Sequence, residues 1–266
     1  MRVRTCQSRT MNRLTFLIAL GGLLILLPSA CSSRMPNQIP GTERAQGSEH
    51  PHHGGHAESA SSPHAHENDD ATASHSFADV ERWEAIFDAP GRDQWQRPDE
   101  IMAAAGLVPG MRVADLGAGT GYLMPHLSRA VGAAGSVLVV EPEPALVTHL
   151  RDRAERSSLP NVTPVLASFS DPRLPRAALD RIIMLDTYHH ISNRRSYMAD
   201  LKGALRPGGR VVVVDWRKRD LPVGPPAPHK LPSTQVIAEM DAAGYELVAS
   251  RESLPYHYLL VFDPKP

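Results

Sequence analysis

The chain has only two cysteines in 266 residues, and both lie near its start, at Cys6 and Cys31. The remaining residues therefore contain no thiol for an internal disulfide, a thiolate metal ligand or a cysteine nucleophile. The chain also lacks an excess of charge of either sign, with 28 Lys and Arg residues against 29 Asp and Glu residues. Because proteins that bind polyanions normally carry a basic patch, we do not expect a nucleic-acid partner.

An apolar run near the start of the chain, from Leu14 to Leu27, is short for a membrane-spanning helix and has the length of the apolar part of a secretory signal. Several arginines precede it, as in such signals: Arg2, Arg4, Arg9 and Arg13. The run therefore predicts that the chain is exported.

The four residues after this run, Pro28-Ser29-Ala30-Cys31, resemble a bacterial lipoprotein signal, in which the cysteine becomes the lipidated first residue of the mature protein. Pro28 departs from the pattern, which prefers an aliphatic residue there. We expect residues 1–31 to be a signal segment and the mature protein to be a lipoprotein of the bacterial cell envelope, anchored in the membrane through Cys31. Plain cleavage near Ala30 or Ser32, or an uncleaved anchor, are the alternatives.

Residues 32–76 are rich in small and polar residues and in histidine, and they show no aliphatic periodicity. Such a segment cannot bury enough apolar surface to offset the entropy of ordering, so it is predicted to be a disordered linker. Its closely spaced imidazoles suit weak binding of Zn, Ni or Cu ions, although a solvated linker explains them equally well. The histidines are His50, His52, His53, His56, His64, His66 and His75.

From residue 112 onward, β-rich runs alternate with helical patterns. Strands are predicted at 112–116, 136–140, 162–167, 181–185 and 210–215, and helices at 122–131, 144–157 and 194–205. Parallel neighbours need crossover helices that cover the sheet, so this order predicts a doubly wound α/β fold with a mostly parallel sheet.

Two regions flank this alternation. Helices are expected before the first strand, with Pro98 at a first helical position. Toward the end of the chain, Ser233 is expected to cap a helix that ends near Gly244. The runs 245–251 and 256–262 are too close in sequence for a helical crossover and are expected to pair antiparallel, which brings the sheet to seven strands.

The motif with the clearest chemistry is the turn after the first strand, Asp115-Leu116-Gly117-Ala118-Gly119-Thr120-Gly121. Glu141 follows twenty residues after the last of these glycines, at the end of the second strand. A glycine-rich turn beside an acid on the neighbouring strand predicts a nucleoside-binding crevice. The spacing G-x-G-x-G differs from the G-x-G-x-x-G of dinucleotide sites, and no Gly-Lys-Ser/Thr is present for a triphosphate.

Residues 77–266 resemble the class I S-adenosylmethionine (SAM)-dependent methyltransferases. The resemblance rests on this turn, on the run 180–190 with its Asp186-Thr187-Tyr188-His189-His190 end, and on the turn 205–210. It implies SAM as the cofactor, with Asp115 near its methionine end, with Gly117, Ala118, Gly119 and Gly121 packed beneath it, and with Glu141 on its ribose hydroxyls.

The resemblance also points to further site residues. Ser168, Phe169 and Asp171 are candidates for the adenine contact, since no acid directly follows the third strand. Asp186 is placed at the cofactor, at the rim shared with the acceptor. Tyr188, His189 and His190 are candidate catalytic residues, because a histidine there could remove a proton from an oxygen or nitrogen of the acceptor; each histidine could instead pack and shape the loop.

Other residues are weaker candidates for the walls of the pocket. Trp83 and Trp95 could form a lid or belong to the core of the leading helices. The acceptor pocket could be closed from the carboxyl-terminal side by His229, Lys230, Tyr256 and His257.

Two functions remain open from the sequence. The first is a SAM-dependent methyltransferase that acts on a small-molecule acceptor. The second is an exported, membrane-tethered binding protein that retains the fold and binds another ligand, or binds a metal through its histidine-rich tract. The export signal favours the second, because SAM is made in the cytoplasm, whereas the complete set of cofactor residues favours the first.

Overall fold

The computed structural model describes residues 77–266. The predicted signal segment 1–31, the histidine-rich linker 32–76 and the proposed lipidation at Cys31 lie outside the described residues. Within residues 77–266, no helix is both long enough and apolar enough to span a membrane.

Helices and strands alternate along most of this range. The helices are α1 (Val80–Phe87), α2 (Arg92–Gln96), α3 (Pro98–Ala104), α4 (Met124–Val131), α5 (Pro144–Arg156), α6 (Arg194–Leu201) and α7 (Ser233–Ala242). The strands are β1 (Arg112–Leu116), β2 (Ser136–Glu141), β3 (Val162–Leu166), β4 (Leu179–Leu185), β5 (Leu205–Trp216), β6 (Tyr245–Arg251) and β7 (His257–Pro264). Short 3₁₀ turns lie at Tyr188–His190, Lys202–Ala204 and Ala227–His229.

The strands form one seven-stranded sheet in the order β3-β2-β1-β4-β5-β7-β6. The first five strands are parallel, and β7 runs antiparallel to both β5 and β6. This confirms the predicted doubly wound fold and its antiparallel last strands. The direction of strand order reverses between β1 and β4, and in open α/β sheets a crevice for ligands forms at this place, beyond the carboxyl ends of the strands.

Successive residues of the central strands bury their side chains on opposite faces of the sheet. Ile182 of β4 packs with Met198 of α6 and Met240 of α7, whereas Ile183 packs on the other face with Leu127 of α4. All seven residues of β4 are buried. Burial of one such aliphatic side chain contributes about 1.5–3 kcal/mol, so these two layers hold the strand ends rigidly in place.

Several predicted boundaries differ from the structure. The helix expected at 122–131 begins at Met124, because the glycine turn occupies the residues before it. The helix expected at 194–205 ends at Leu201, since a 3₁₀ turn leads into a β5 that begins at Leu205. Ser233 is the first residue of α7, and no side chain caps that helix, so the predicted serine cap is wrong.

Candidate cofactor and acceptor site

The glycine turn after β1 can form only with glycine at its tightest points. Gly117 has φ +75°, and a Cβ added there would overlap the side chain of Thr187. Gly121 has φ +88°, and its Cβ would lie 2.7 Å from Leu150 Cδ2 and 2.9 Å from Met124 Sδ. The turn is therefore packed closely against the β4 loop on one side and against α4 and α5 beneath it.

Glu141 ends β2 beside this turn and is 4% exposed. Its Oε2 accepts the backbone N–H of Gly119 at 2.9 Å, and its Oε1 accepts that of Glu143 at 3.3 Å. Burial raises the pKa of Glu141 to about 7, although both backbone bonds favour the ionised form. A buried carboxylate of this kind is well placed to accept hydrogen bonds from hydroxyl groups of a ligand.

Asp115 lies one strand away, in β1, and is 2% exposed. Burial raises the pKa of Asp115 to about 7, and the charge of Glu141 adds to this rise, while Arg92 opposes it. Two carboxyls at the ends of neighbouring strands thus carry protons near neutral pH. A positively charged ligand would favour their ionised forms.

A cavity opens above the turn and the ends of β1, β2 and β4. Of the residues predicted to bind the cofactor, those that line it are Asp115, Gly117, Ala118, Gly119, Glu141, Ser168 and Asp186. Gly121, the last residue of the turn, packs against α4 and α5 and does not line the cavity, in keeping with a packing role. Phe169 lines the mouth and is 70% exposed.

Asp171 does not line the cavity, contrary to the sequence prediction. Its carboxylate accepts the backbone N–H of Arg173 at 2.8 Å, and its own backbone N–H donates to Ser168 Oγ at 3.0 Å. These local bonds close an exposed turn. The predicted adenine contact from Asp171 is therefore corrected to a role in shaping the loop after β3.

The 3₁₀ turn that follows β4 separates the three candidate catalytic residues. Tyr188 is fully buried, and its hydroxyl donates to Glu239 at 3.0 Å. His189 is also buried, with its Nδ1 2.9 Å from Asp215 Oδ1. Neither residue lines the cavity, so the predicted catalytic roles of Tyr188 and His189 are not compatible with their placement.

The imidazole of His189 forms an ion pair with Asp215 in the protein interior. Burial lowers the pKa of His189, but the charge and hydrogen bond of Asp215 outweigh it, and the net pKa is raised. Burial raises the pKa of Asp215, but the charge and hydrogen bond of His189 and the backbone N–H of Trp216 together outweigh it, and the net pKa is lowered. The pair fixes the turn against β5.

His190 does line the cavity. Its ring centroid lies 4.1 Å from that of His189, and it meets the ring of Phe77 edge-on at 5.5 Å. The two residues before it are anchored in the interior, so the turn presents this imidazole to the cavity. Of the three predicted catalytic residues, His190 alone is placed to contact a ligand.

The sequence reasoning missed Arg92 of α2. This side chain lines the cavity and is 8% exposed, and its guanidinium carbon lies 3.9 Å from the centroid of the Tyr122 ring. It donates to the carbonyl of Phe87 at 2.5 Å and lies 3.4 Å from Asp186 Oδ2. No local pattern marks it as a site residue, because its contacts at the cavity, Asp186 after β4 and Tyr122 in the turn after β1, are distant in sequence.

The residues that were weaker candidates for the walls of the pocket do not line the cavity. Trp83 packs on Phe77 and Phe87, which line the cavity, at centroid distances of 4.7 Å and 5.1 Å. Trp95 stacks on His257 behind the cavity wall. Lys230 is buried and donates to the carbonyl of Arg219, and neither it nor His229 or Tyr256 lines the cavity.

Much of the glycine turn and the strands around this cavity lies in a segment that is similar to a known protein family. Residues 113–209 match the family model of a methyltransferase domain. This part of the predicted methyltransferase domain, residues 77–266, is thus similar to a known methyltransferase family. The match includes both carboxyls and the whole of the turn that bears His190.

A curated protein sequence and a solved structure are both similar to this domain. The ubiquinone/menaquinone biosynthesis C-methyltransferase UbiE of Vibrio vulnificus is 30% identical over 162 residues, which cover 58% of this chain and 60% of that protein. A solved SAM-dependent methyltransferase from Aquifex aeolicus superposes with a TM-score of 0.67 at 24% identity, covering 71% of this chain and 98% of that one. The fold is therefore the Rossmann-like methyltransferase fold.

The same fold also occurs in a solved [4+2]-cyclase, SpnF, with a TM-score of 0.56 at 17% identity over 64% of this chain and 80% of that one. Fold alone therefore does not decide the reaction, which depends on the residues of the site.

Proposed function

We propose that this chain is a SAM-dependent methyltransferase that acts on a small-molecule acceptor. The observation that carries the proposal is the joint placement of the glycine turn and the Glu141 carboxylate at the floor of one cavity, joined by the hydrogen bond from Gly119. A floor without side chains lets a flat nucleoside approach the backbone, and the buried acid supplies acceptors for its ribose hydroxyls.

The residues present fit SAM in three further respects. The cavity wall carries Asp115, whose carboxyl suits the positive charge of the methionine end. The hydroxyl of Thr120 is buried beside the turn without a partner among residues 77–266, so a polar group remains to be satisfied there. Phe169 offers an exposed ring at the mouth, where the adenine is expected from the resemblance.

When bound, SAM supplies a methyl group made electrophilic by its sulfonium. Transfer from a sulfonium depends chiefly on alignment and on a dry site, so the protein has to hold both reactants and exclude water. Phe77 and Phe87, which precede the first strand, line the cavity and are proposed to exclude water from it. His190 is proposed to accept the proton that an acceptor hydroxyl or N–H group loses.

The acceptor is proposed to be small and largely apolar. The aromatic and aliphatic side chains of Phe77, Ile191 and Tyr197 line the cavity together with His190. Arg92, the cationic lining residue in the described range, already lies 3.4 Å from Asp186 Oδ2. The relatives named for ubiquinone and menaquinone biosynthesis suggest reduced benzoquinones and naphthoquinones without a ring methyl group as the first acceptors to assay.

The domain is further proposed to be held at the bacterial cell envelope by a lipid on Cys31, with residues 32–76 as a tether that binds Zn, Ni or Cu ions weakly. The support is the arginine-flanked apolar run, the Pro28-Ser29-Ala30-Cys31 signal and the histidine spacing. SAM is made in the cytoplasm, so an exported methyltransferase needs an external supply of SAM. This requirement favours the alternative function, a tethered binding protein with another ligand.

Isothermal titration calorimetry with the full-length chain separates the two functions. We expect SAM and its demethylated product, S-adenosylhomocysteine, each to bind with one-to-one stoichiometry. Transfer of tritium from methyl-labelled SAM to reduced naphthoquinone is then measured by extraction of the product. Absence of binding by both adenosyl compounds would reject the methyltransferase and leave the binding protein.

A further inference from the structure

The carboxylate of Asp186 is held from two sides at the end of β4. Its Oδ1 lies 2.8 Å from Nε2 of His257, the first residue of β7. Its Oδ2 lies 3.4 Å from Nη2 of Arg92 in α2. Asp186 is thus the point at which the N-terminal helices, the central sheet and the C-terminal strand meet at the cavity wall.

The backbone at Asp186 is also unusual. Its φ is +56°, in the left-handed region that side-chain-bearing residues rarely adopt. The residue is kept there by the hydrogen bond from its backbone N–H to the carbonyl of Val214 at 2.9 Å and by the bonds to its side chain. Backbone strain that is maintained by surrounding contacts is concentrated at functional sites.

The direction of the His257 bond follows from its other ring nitrogen. His257 is fully buried, and its Nδ1 has no hydrogen-bond partner among residues 77–266. A proton on that nitrogen would leave a buried donor unsatisfied, which is more costly than a bare lone pair. We therefore assign the proton to Nε2, which donates it to Oδ1 of Asp186 at 2.8 Å.

The imidazole cannot turn away from this bond. The ring of Trp95 stacks on it at 5.9 Å with an interplanar angle of 8°, and the ring of Trp216 lies 4.1 Å away. Trp216 also pairs with His257 in the ladder between β5 and β7. The donor is therefore fixed both by packing and by strand register.

We propose that His257 is a positioning residue, which holds the Asp186 carboxylate on the cavity wall so that Asp186 accepts a hydrogen bond from a hydroxyl or N–H group of the methyl acceptor. The proposal rests on the proposed methyl transfer. Strand order supports the acceptor over the cofactor, because the proposed nucleoside residues Glu141 and Asp115 lie on β2 and β1, whereas Asp186 directly follows β4, next to the turn that presents His190.

The first test is the hydrogen bond itself, measured by nuclear magnetic resonance of nitrogen-15 in the histidine rings of the full-length chain. We expect one ring with its proton on Nε2 and none on Nδ1, assigned by its absence in His257→Gln, and a shifted resonance in Asp186→Asn. A proton on Nδ1, or a resonance that Asp186→Asn leaves unmoved, would overturn the proposal.

The second test compares His257→Leu with His257→Gln, whose amide N–H can replace the lost donor. Methyl transfer from labelled SAM to reduced naphthoquinone is measured together with SAM affinity by calorimetry. We expect His257→Leu to lower kcat/KM for the acceptor at least tenfold, chiefly through KM, with SAM affinity changed less than twofold. His257→Gln should recover most of the activity. His229→Gln, on an exposed 3₁₀ turn, is the matched control.

The outcomes are distinct. Equal transfer by His257→Leu and the wild type would overturn the positioning role, and so would a loss of SAM affinity that matches the loss of transfer, since Asp186 would then serve the cofactor. If the wild type binds SAM but transfers to no naphthoquinone, the choice of acceptor has failed, and the resonance test decides the role of His257. Circular dichroism identifies a leucine variant that has not folded, in which case the glutamine variant and the resonance test apply.

Discussion

The backbone N–H of Gly119 donates to Oε2 of Glu141 at 2.9 Å, so the glycine turn of β1 and the carboxyl end of β2 are joined at the cavity floor. The bond holds one lone pair of the carboxylate and leaves others for a ligand. It also fixes the distance between the surface proposed to hold a nucleoside and the acid proposed to bind its ribose. The first two predictions follow from this arrangement.

Replacement of Glu141 by alanine should lower SAM affinity about a hundredfold. Two hydrogen bonds from ribose hydroxyls to a carboxylate contribute about 1.5–3 kcal/mol each, and part of this is regained by water in the variant. Calorimetry on the full-length chain measures the change. Glu155→Ala, an exposed acid on α5, is the control and should bind as the wild type does. Equal affinity of Glu141→Ala and the wild type would contradict the site.

SAM affinity should rise with pH up to about 7. Burial raises the pKa of Asp115 from 3.8 and that of Glu141 from 4.5, both to about 7, so the free site holds protons that the bound cation and ribose hydroxyls displace. Calorimetry at pH 6 in buffers of different ionisation enthalpy should show proton release. Glu141→Gln should release fewer protons, and proton uptake in the wild type would refute the assignment.

Asp115 and Glu141 also make the stability of the ligand-free protein depend on pH, and this stability changes with pH in the direction opposite to SAM affinity. Between about pH 4 and pH 7 the folded chain retains protons that the unfolded chain has lost, so their contribution to stability falls as pH rises through this window. Saturating SAM should therefore raise the melting temperature more at pH 7 than at pH 5.5, which differential scanning fluorimetry can measure.

Gly117→Ala should destabilise the fold more than Gly110→Ala. Both residues have positive φ, at +75° and +91°, so alanine costs about 1–2 kcal/mol at either position. The Cβ at Gly110 meets no atom within 4 Å, whereas the one at Gly117 overlaps Thr187. Urea unfolding measures the difference, and Thr187→Ala should remove most of it from the double variant. Equal losses at the two glycines would mean that the turn is not packed against the β4 loop.

The strands were predictable from sequence because each is a short β-branched run between turn residues. The limits of β1 and β6 agree with those expected, and β4 extends only two residues earlier, to Leu179. Helix ends were less predictable. The α6 helix ends at Leu201 because pairing of β5 with β4 takes over from residue 205, a long-range contact that helical periodicity does not contain.

The placement of Gly117, Gly119 and Glu141 at one cavity was also predictable, since they lie at strand ends that the sequence marks. The placement of the residues after β4 was not. Tyr188, His189 and His190 are consecutive, and their directions are decided by partners that lie 51 and 26 residues away, at Glu239 and Asp215. Arg92 and His257 reach Asp186 over 94 and 71 residues, and no local pattern encodes such contacts.

A lipid on Cys31 predicts that the full-length chain partitions with membranes. Labelling of growing bacteria with a radioactive fatty acid should mark the wild type and should leave Cys31→Ala unmarked, because the thiol is the attachment point. Cys6→Ala is the matched control and should be labelled normally, since Cys6 precedes the expected cleavage site. Equal labelling of the wild type and Cys31→Ala would remove the lipoprotein proposal while leaving the methyltransferase proposal untouched.

Replacement of His190 should reduce methyl transfer without loss of stability, whereas replacement of its neighbour should do the reverse. His190 lines the cavity, and a positioned base contributes about 10²–10⁴-fold to a rate, so His190→Ala should lower kcat within that range. His189 is buried against Asp215, and its loss leaves a buried carboxylate with backbone N–H donors but without its countercharge, which costs about 3–5 kcal/mol, so His189→Leu should lower the melting temperature. Transfer assays and thermal melts of both variants measure the contrast. If His190→Ala kept the wild-type kcat for a hydroxyl acceptor, His190 would not be the base.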